Sequence, residues 1–167
     1  VLCHGWPEHA YSWRHQVPAL VAAGFHVIVP NQRGYGNSSR PSEVTDYDIA
    51  HLTGDLVALL DHYGYDNATF VGHDWGAPIS WWSALLRPDV FTALAILSVP
   101  FNPRGPIKPS DGFRMLGGDE EFYIEYFQEV GRAEVEIEQD LSSWLLGFYH
   151  TASGDWAGRP DGKSLAT

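Results

Sequence analysis

The chain has 167 residues, of which 44% are hydrophobic and 14% aromatic; this is enough apolar material for a packed domain and excludes a disordered chain. Its formal net charge of −11, from 21 acidic against 10 basic residues, denies it the clustered cations that a phosphate backbone requires, so small neutral molecules rather than nucleic acids are the expected partners. A single cysteine, Cys3, excludes a disulfide within the chain and agrees with a reducing, cytoplasmic setting.

Val1-Leu2-Cys3 reads as the end of a strand, which leads us to expect a fragment of a longer protein. No apolar run approaches the roughly 20 residues of a bilayer span, and no basic leader precedes a hydrophobic one, so no membrane span is expected. The turn His4-Gly5-Trp6-Pro7-Glu8 leads to Ser12, the expected N-cap of a helix with Trp13, Val17, Leu20 and Val21 on one face and Gly24 at its end. Pro18 should weaken or kink that helix. Residues 25–30 read as a buried strand and residues 31–41, dense in glycine and turn formers, as a loop that lacks the ending of a phosphate loop. A box-like Thr45-x-x-Asp48 then introduces a helix with Ile49, Leu52, Leu56, Leu59, Leu60 and Tyr63 on one stripe, closed by Gly64.

Residues 68–71 form an apolar, β-prone run that ends in Gly72-His73-Asp74-Trp75-Gly76, and residues 77–86 then have helical character, with Trp81, Trp82, Leu85 and Leu86. A strand is expected over residues 92–99. Strands alternating with helices predict a mostly parallel sheet with helices on both faces. After the proline-rich residues 100–109 the pattern becomes helical and acidic, over 120–128 and 133–146, so a second, mostly helical unit is expected. Its Glu134, Glu136 and Glu138 read as a solvated face, and no metal site is expected.

The Gly72-x-Asp74-x-Gly76 turn carries the chemistry. Small residues two positions either side of the centre allow a strand-to-helix turn tight enough to expose the central side chain as a nucleophile. A carboxylate at that tip is ionised near neutral pH and, on attacking a saturated carbon, leaves an ester that water can hydrolyse. Asp74 therefore points to an electrophilic sp³ carbon, as in an epoxide or an alkyl halide.

His4-Gly5-Trp6-Pro7-Glu8, Tyr11-Ser12-Trp13-Arg14-His15-Gln16, Arg33-Gly34-Tyr35-Gly36, Gly72-His73-Asp74-Trp75-Gly76 and Leu97-Ser98-Val99-Pro100-Phe101 together resemble the soluble epoxide hydrolases of the α/β-hydrolase fold. The likeness runs in order from Val1 to about Asp155. It implies a partial α/β-hydrolase core over 1–99 and part of a helical cap over 100–167, truncated at both ends. It also implies a small apolar epoxide as substrate, with neither cofactor nor metal, and leaves the oligomeric state open. Asp74 is then the nucleophile, and the backbone N–H groups of Trp6 and Trp75 face the oxyanion of the ester-hydrolysis step. Pro7 is expected after a cis peptide. The segment 121–128 resembles the one that carries a cap tyrosine able to protonate the opened epoxide, which matches Tyr123; Tyr126 is expected on the same helical face. Residues 148–155 resemble a later part of the cap, without an assigned role. Asn31 stands where the commoner pattern has Asp, in a loop not expected to touch the chemistry. The histidine base of the second step and the acid that orients it belong after the cap, so none of the eight histidines is assigned to it.

Two rival readings share these residues. A haloalkane or haloacid dehalogenase uses the same aspartate elbow, with Trp75 compatible with a halide site, but Trp6 stands where such enzymes often carry Asn, and halide departure has no need of Tyr123. A non-catalytic ligand-binding module of the same fold accounts poorly for an intact Asp74.

Overall fold

The apolar run before the Gly-His-Asp-Trp-Gly turn is the central strand of a three-stranded parallel sheet. Its strands are β1 (Leu2–Cys3), β2 (Ala68–His73) and β3 (Phe91–Leu97), in the order β1-β2-β3. Leu2 pairs with Val71 and Cys3 with Gly72, while His73 pairs with Leu97. The turns that leave β1 and β3 therefore emerge beside the one that leaves β2. The structure, a computed structural model, describes residues 1–119, 121–154 and 156. The chain divides into two units, Val1–Pro103 and Arg104–Thr167.

In the first unit the core gathers Cys3, Leu56, Leu60, Phe70, Val90 and Phe91, with the Phe70 and Phe91 rings stacked at 4.1 Å. Two helices follow from their end signals. The first long one, Ile49–Tyr63, starts where the Asp48 carboxylate accepts the His51 N–H at 2.8 Å, and it closes on Gly64 in the left-handed conformation at φ 74°. The second, Gly76–Leu86, starts directly from the turn after β2. They pack on each other through small side chains, where Thr53 and Ser83 share a buried hydroxyl hydrogen bond of 2.8 Å.

Several expectations change in detail. The cap of the long helix is Asp48 rather than Thr45, because Thr45 lies inside a separate 3₁₀ turn, Val44–Tyr47. Ser12 caps nothing: it lies within a 3₁₀ turn, Ala10–Trp13, that is capped by the His9 ring. The helix beyond it, Gln16–Ala22, places Pro18 in its first turn, where no intrahelical N–H is needed, so the proline neither breaks nor kinks it. In chain order these helices are α1 (Gln16–Ala22), α2 (Ile49–Tyr63) and α3 (Gly76–Leu86).

Residues 25–30 are not a strand. Leu2 N–H donates to Ile28 O at 2.9 Å, but the ladder goes no further. Beyond it the Gln32 N–H donates to the His4 ring and the Gln32 amide donates to His4 O, so side chains take over the rungs. β3 starts at Phe91, a residue earlier than expected, and ends at Leu97; residues 92–95 are exposed despite their apolar character.

The second unit contains α4 (Pro109–Gly117), α5 (Tyr123–Tyr126), α6 (Arg132–Ile137) and α7 (Leu141–Ala152). The sequence reading placed Pro109 in a connection, yet it opens α4 at the first helical position, which proline fits because its missing N–H has no partner there. The helix expected over 120–128 is a single turn among the described residues; Glu120 lies outside them. The helix expected over 133–146 is two, because the Asp140 carboxylate caps a new start by accepting the Ser143 N–H. Residue 155 and residues 157–167, part of the expected cap, also lie outside the described residues. Among the described residues no helix is long and apolar enough to cross a membrane.

Candidate active site

Asp74 is held in a conformation that few side chains adopt. Its φ is 51°, in the left-handed region, at the point where β2 gives way to α3. Such a non-glycine backbone costs on the order of 1–3 kcal/mol and persists only where its surroundings fix it. Here the surroundings are backbone. A Cβ on Gly72 would strike the carbonyl of Gly76, and one on Gly76 would strike the carbonyls of Cys3 and His4. The two glycines read from the sequence as making room for the turn thus do so by different contacts: Gly72 admits the start of α3, and Gly76 admits the end of β1.

The His4-Gly5-Trp6-Pro7 turn completes the arrangement from the neighbouring strand. Trp6 N–H donates to Asp74 Oδ1 at 2.9 Å. Gly5 has to be glycine because a Cβ there would overlap the Asp74 side chain. The Trp6-Pro7 peptide is cis, as expected. The Trp75 N–H makes no hydrogen bond to the Asp74 carboxylate among the described residues, and Trp75 is 39% exposed rather than part of the core. From the other side, Asp74 N–H donates to Ser98 Oγ at 3.1 Å.

His4 is a structural brace. It is fully buried, its Nδ1 lies 2.8 Å from Gly5 O and its Nε2 accepts the Gln32 N–H at 3.1 Å. That pair of partners fixes a neutral ring with its proton on Nδ1. Burial lowers the pKa of the ring, against the opposing pull of Gly5 O and Glu8. Sequence reading quoted Glu8 but gave it no task. Its carboxylate accepts the Gly5 N–H at 3.3 Å and the His73 Nδ1–H at 3.2 Å, which ties the first turn to the residue before Asp74. Glycine followed three residues later by an acid was the available signal.

Tyr35, from the Arg-Gly-Tyr-Gly stretch, sets its ring edge-on to His4 at 4.6 Å. Burial, and then the negative charges of Asp74 and Glu8, push its hydroxyl up to about 12, so it stays protonated as a donor. Cys3 is buried and its thiol is pushed up to about 11 by burial, which leaves it unreactive. Asn31 supports the turn from outside, its side-chain oxygen accepting the Ala10 N–H at 2.8 Å. Among the described residues no group of three or more His, Cys, Asp or Glu could hold a metal. A cavity of about 240 Å³ between the 31–41 loop and α2 is lined by residues such as Arg33, Ser38, Leu52 and Asp55, and Asp74 is not among them.

In the second unit, Tyr123 opens α5 within an aromatic group, its ring 4.7 Å from Phe122, 5.8 Å from Phe127 and 6.1 Å from Phe148. Tyr126 is engaged elsewhere: its hydroxyl donates to Glu136 Oε2, and the Arg132 guanidinium lies 4.3 Å from its ring centre. Arg132 in turn grips Glu121 through two hydrogen bonds of 2.9 and 2.7 Å.

Known proteins share this arrangement of strand, turn and helix. The family model described as "alpha/beta hydrolase fold" matches residues 1–166. Epoxide hydrolase A of Mycobacterium tuberculosis is 54% identical over 140 residues, which cover 84% of this chain and 44% of that protein. Epoxide hydrolase B of the same organism is 45% identical over 166 residues, covering 93% and 47%. Among solved structures, an epoxide hydrolase from an endophytic Streptomyces matches with a TM-score of 0.88 and 54% identity over 92% of this chain and 46% of that one. Epoxide hydrolase A from Mycobacterium thermoresistibile matches at 0.86 and 51%, covering 96% and 49%. The chain spans about half the length of the curated relatives it matches. On sequence, fold and turn geometry together, the chain belongs to the epoxide hydrolase family of the α/β-hydrolase fold.

Proposed function

We propose that this chain carries the nucleophilic half of an epoxide hydrolase, and that Asp74 forms an ester with a small apolar epoxide. The observation that carries the reading is the Trp6 N–H bond to Asp74 Oδ1. It divides the labour of the carboxylate: Oδ1 is tethered, and Oδ2 is the oxygen left to attack. In the first step Oδ2 bonds to an epoxide carbon while that carbon's bond to the epoxide oxygen breaks, and the electron pair goes to the oxygen. The oxygen takes the proton of the Tyr123 hydroxyl, because an unprotonated alkoxide is a poor leaving group. In the second step water adds to the ester carbonyl carbon, negative charge builds on Oδ1, and the N–H groups of Trp6 and Trp75 stabilise it. Collapse breaks the bond between that carbon and Oδ2, releasing the diol and restoring the carboxylate; of the two protons of the water, one goes to the departing Oδ2 and the other returns to the Tyr123 phenolate. By family resemblance, the water is activated by a histidine and its acid partner, which no residue described above supplies.

Residues 100–167 act in this reading as part of the helical cap that carries Tyr123. The acidic chain with its single buried cysteine is assigned to the cytoplasm.

Intact-mass analysis after exposure to styrene oxide tests the proposal. One ester adduct is expected on Asp74, and Asp74→Asn should slow its formation at least ~10³-fold, since a neutral amide replaces the nucleophile. An adduct that forms equally well on the Asp74→Asn chain overturns the assignment. Halide release from haloalkanes, without any reaction with epoxides, would move the chain to the dehalogenase reading.

A further inference from the structure

Two non-glycine residues of the described chain have a left-handed backbone, Asp74 at φ 51° and Ser98 at φ 65°. They are joined by one hydrogen bond, from Asp74 N–H to Ser98 Oγ at 3.1 Å. The register explains how they meet. His73 and Leu97 are the last paired residues of β2 and β3, so Asp74 and Ser98 are the first residues beyond the sheet on adjacent parallel strands. Each leaves the sheet by a turn to positive φ at the same level.

This coincidence needs a reason. A serine at positive φ is disfavoured unless a local contact holds it, and glycine or asparagine would adopt the same backbone with less strain. The contact it makes is with the backbone of the nucleophile itself. Asp74 N–H has no partner within α3, because it precedes the first helical residue. Its carboxylate is fixed at the other end by Trp6 N–H. One hydrogen bond therefore sets where the Asp74 backbone sits, and the other sets where one of its oxygens points. Without the first, the elbow could relax toward negative φ and swing the free oxygen away from the substrate.

We infer that Ser98 is a positioning residue for the nucleophile, its hydroxyl oxygen holding the Asp74 amide so that the elbow keeps its left-handed turn. This inference rests on the epoxide hydrolase reading for its kinetic consequence, but not for the hydrogen bond itself. Ser98 does not touch the reacting atoms, and its effect is on the rate of ester formation rather than on substrate binding.

Two variants of the full chain separate the hydroxyl from the backbone. Ser98→Gly accepts positive φ without strain and removes the oxygen. Ser98→Asn also tolerates that backbone and returns an acceptor oxygen. In hydrogen exchange, Asp74 N–H should lose protection in Ser98→Gly and regain it in Ser98→Asn, with melting temperature as the check that each variant folds. In single-turnover reaction with styrene oxide, Ser98→Gly should slow ester formation roughly three- to tenfold, the size of one lost hydrogen bond, with the half-saturating epoxide concentration unchanged. Ser98→Asn should recover most of that rate. If the parent chain forms no ester, the enzyme reading fails while the exchange result still decides the hydrogen bond. Unchanged protection of Asp74 N–H in a folded Ser98→Gly chain overturns the inference, as does an ester-forming rate equal to the parent's.

Discussion

In Val1–Pro103 the backbone itself closes around Asp74: Gly5 touches its side chain, Gly72 touches the first turn of α3, and Gly76 touches the end of β1, each too closely for a Cβ. In Arg104–Thr167 the glycines Gly112 and Gly147 face open space, and Ala133 is the only buried residue among those described. The group proposed for chemistry in the second unit is a side chain, Tyr123, whose ring lies among those of Phe122, Phe127 and Phe148. The difference teaches where tolerance lies. A site made of close backbone approaches admits almost no substitution at those approaches, whereas a site made of a side chain on a short helix depends on that side chain and little on its frame.

The comparison breaks most visibly at Gly76. Its replacement by alanine sets a methyl group against the Cys3 and His4 carbonyls, where neither β1 nor the start of α3 can move independently. The expected cost is about 3 kcal/mol or more, at the upper end of overpacking penalties, read as a large fall in the urea midpoint or failure to fold. A Gly76→Ala chain as stable as the parent would show that the elbow is looser than its geometry implies.

The two tyrosines of α5 sharpen the same contrast within the second unit. Tyr123→Phe keeps the ring in its aromatic group but removes the proposed proton donor, so ester formation should slow by roughly 10²–10⁴-fold, the range of general acid catalysis. Tyr126→Phe removes a hydroxyl already spent on Glu136, and its effect on ester formation and on stability should be small. Measured side by side in single-turnover reactions, equal losses would deny Tyr123 its special place.

Much of the elbow was legible before the fold was known, because its constraints fall on residue types. Only glycine fits beside Asp74 at two flanking positions, so Gly72 and Gly76 are written into the chain at fixed spacing. The helix α2 was legible for a similar reason: an apolar stripe and a closing Gly64 announce it. Ser98 and Glu8 were not, since serine and glutamate occur in any loop and their tasks depend on which strands lie side by side. Residues 25–30 misled because a β-prone run forms a strand only where a neighbour continues the ladder, and here His4 and Gln32 end it with side chains. In the second unit the break at Asp140 was hidden by continuous helical propensity on both sides.

A smaller effect comes from the brace behind the Gly5-Trp6 turn. The folded state lowers the pKa of His4 chiefly by burial, whereas the unfolded chain titrates near the ordinary value of about 6.5. Between those two values the unfolded chain binds more protons, so the stability that His4 contributes is complete above pH ~6.5 and is lost as pH falls through the folded value. Melting temperatures from pH 8 downward should drop across that window in the parent chain. His4→Gln, which offers a donor and an acceptor but does not titrate, should melt lower at pH 8 and show a shallower decline. Parallel curves would mean that another group governs the acid limb.

Gly147 supplies the smallest effect and the cleanest opposite to Gly76. It sits inside α7, without positive φ and with nothing within 4 Å of the space a Cβ would take. Glycine there restrains the unfolded chain less than alanine does and adds no contact to the folded one, so Gly147→Ala should stabilise α7 by about 0.5–1 kcal/mol. Hydrogen exchange of the α7 amides reads this directly, even if the two units do not unfold together. The same chemical change, one methyl group on a glycine, is then expected to strengthen one unit and to disrupt the other. A gain at Gly147 with a loss at Gly76 locates the constraint in the approach of backbone to backbone; losses of similar size at both would mean that Gly147 also serves a contact, and that the second unit is as closely built as the first.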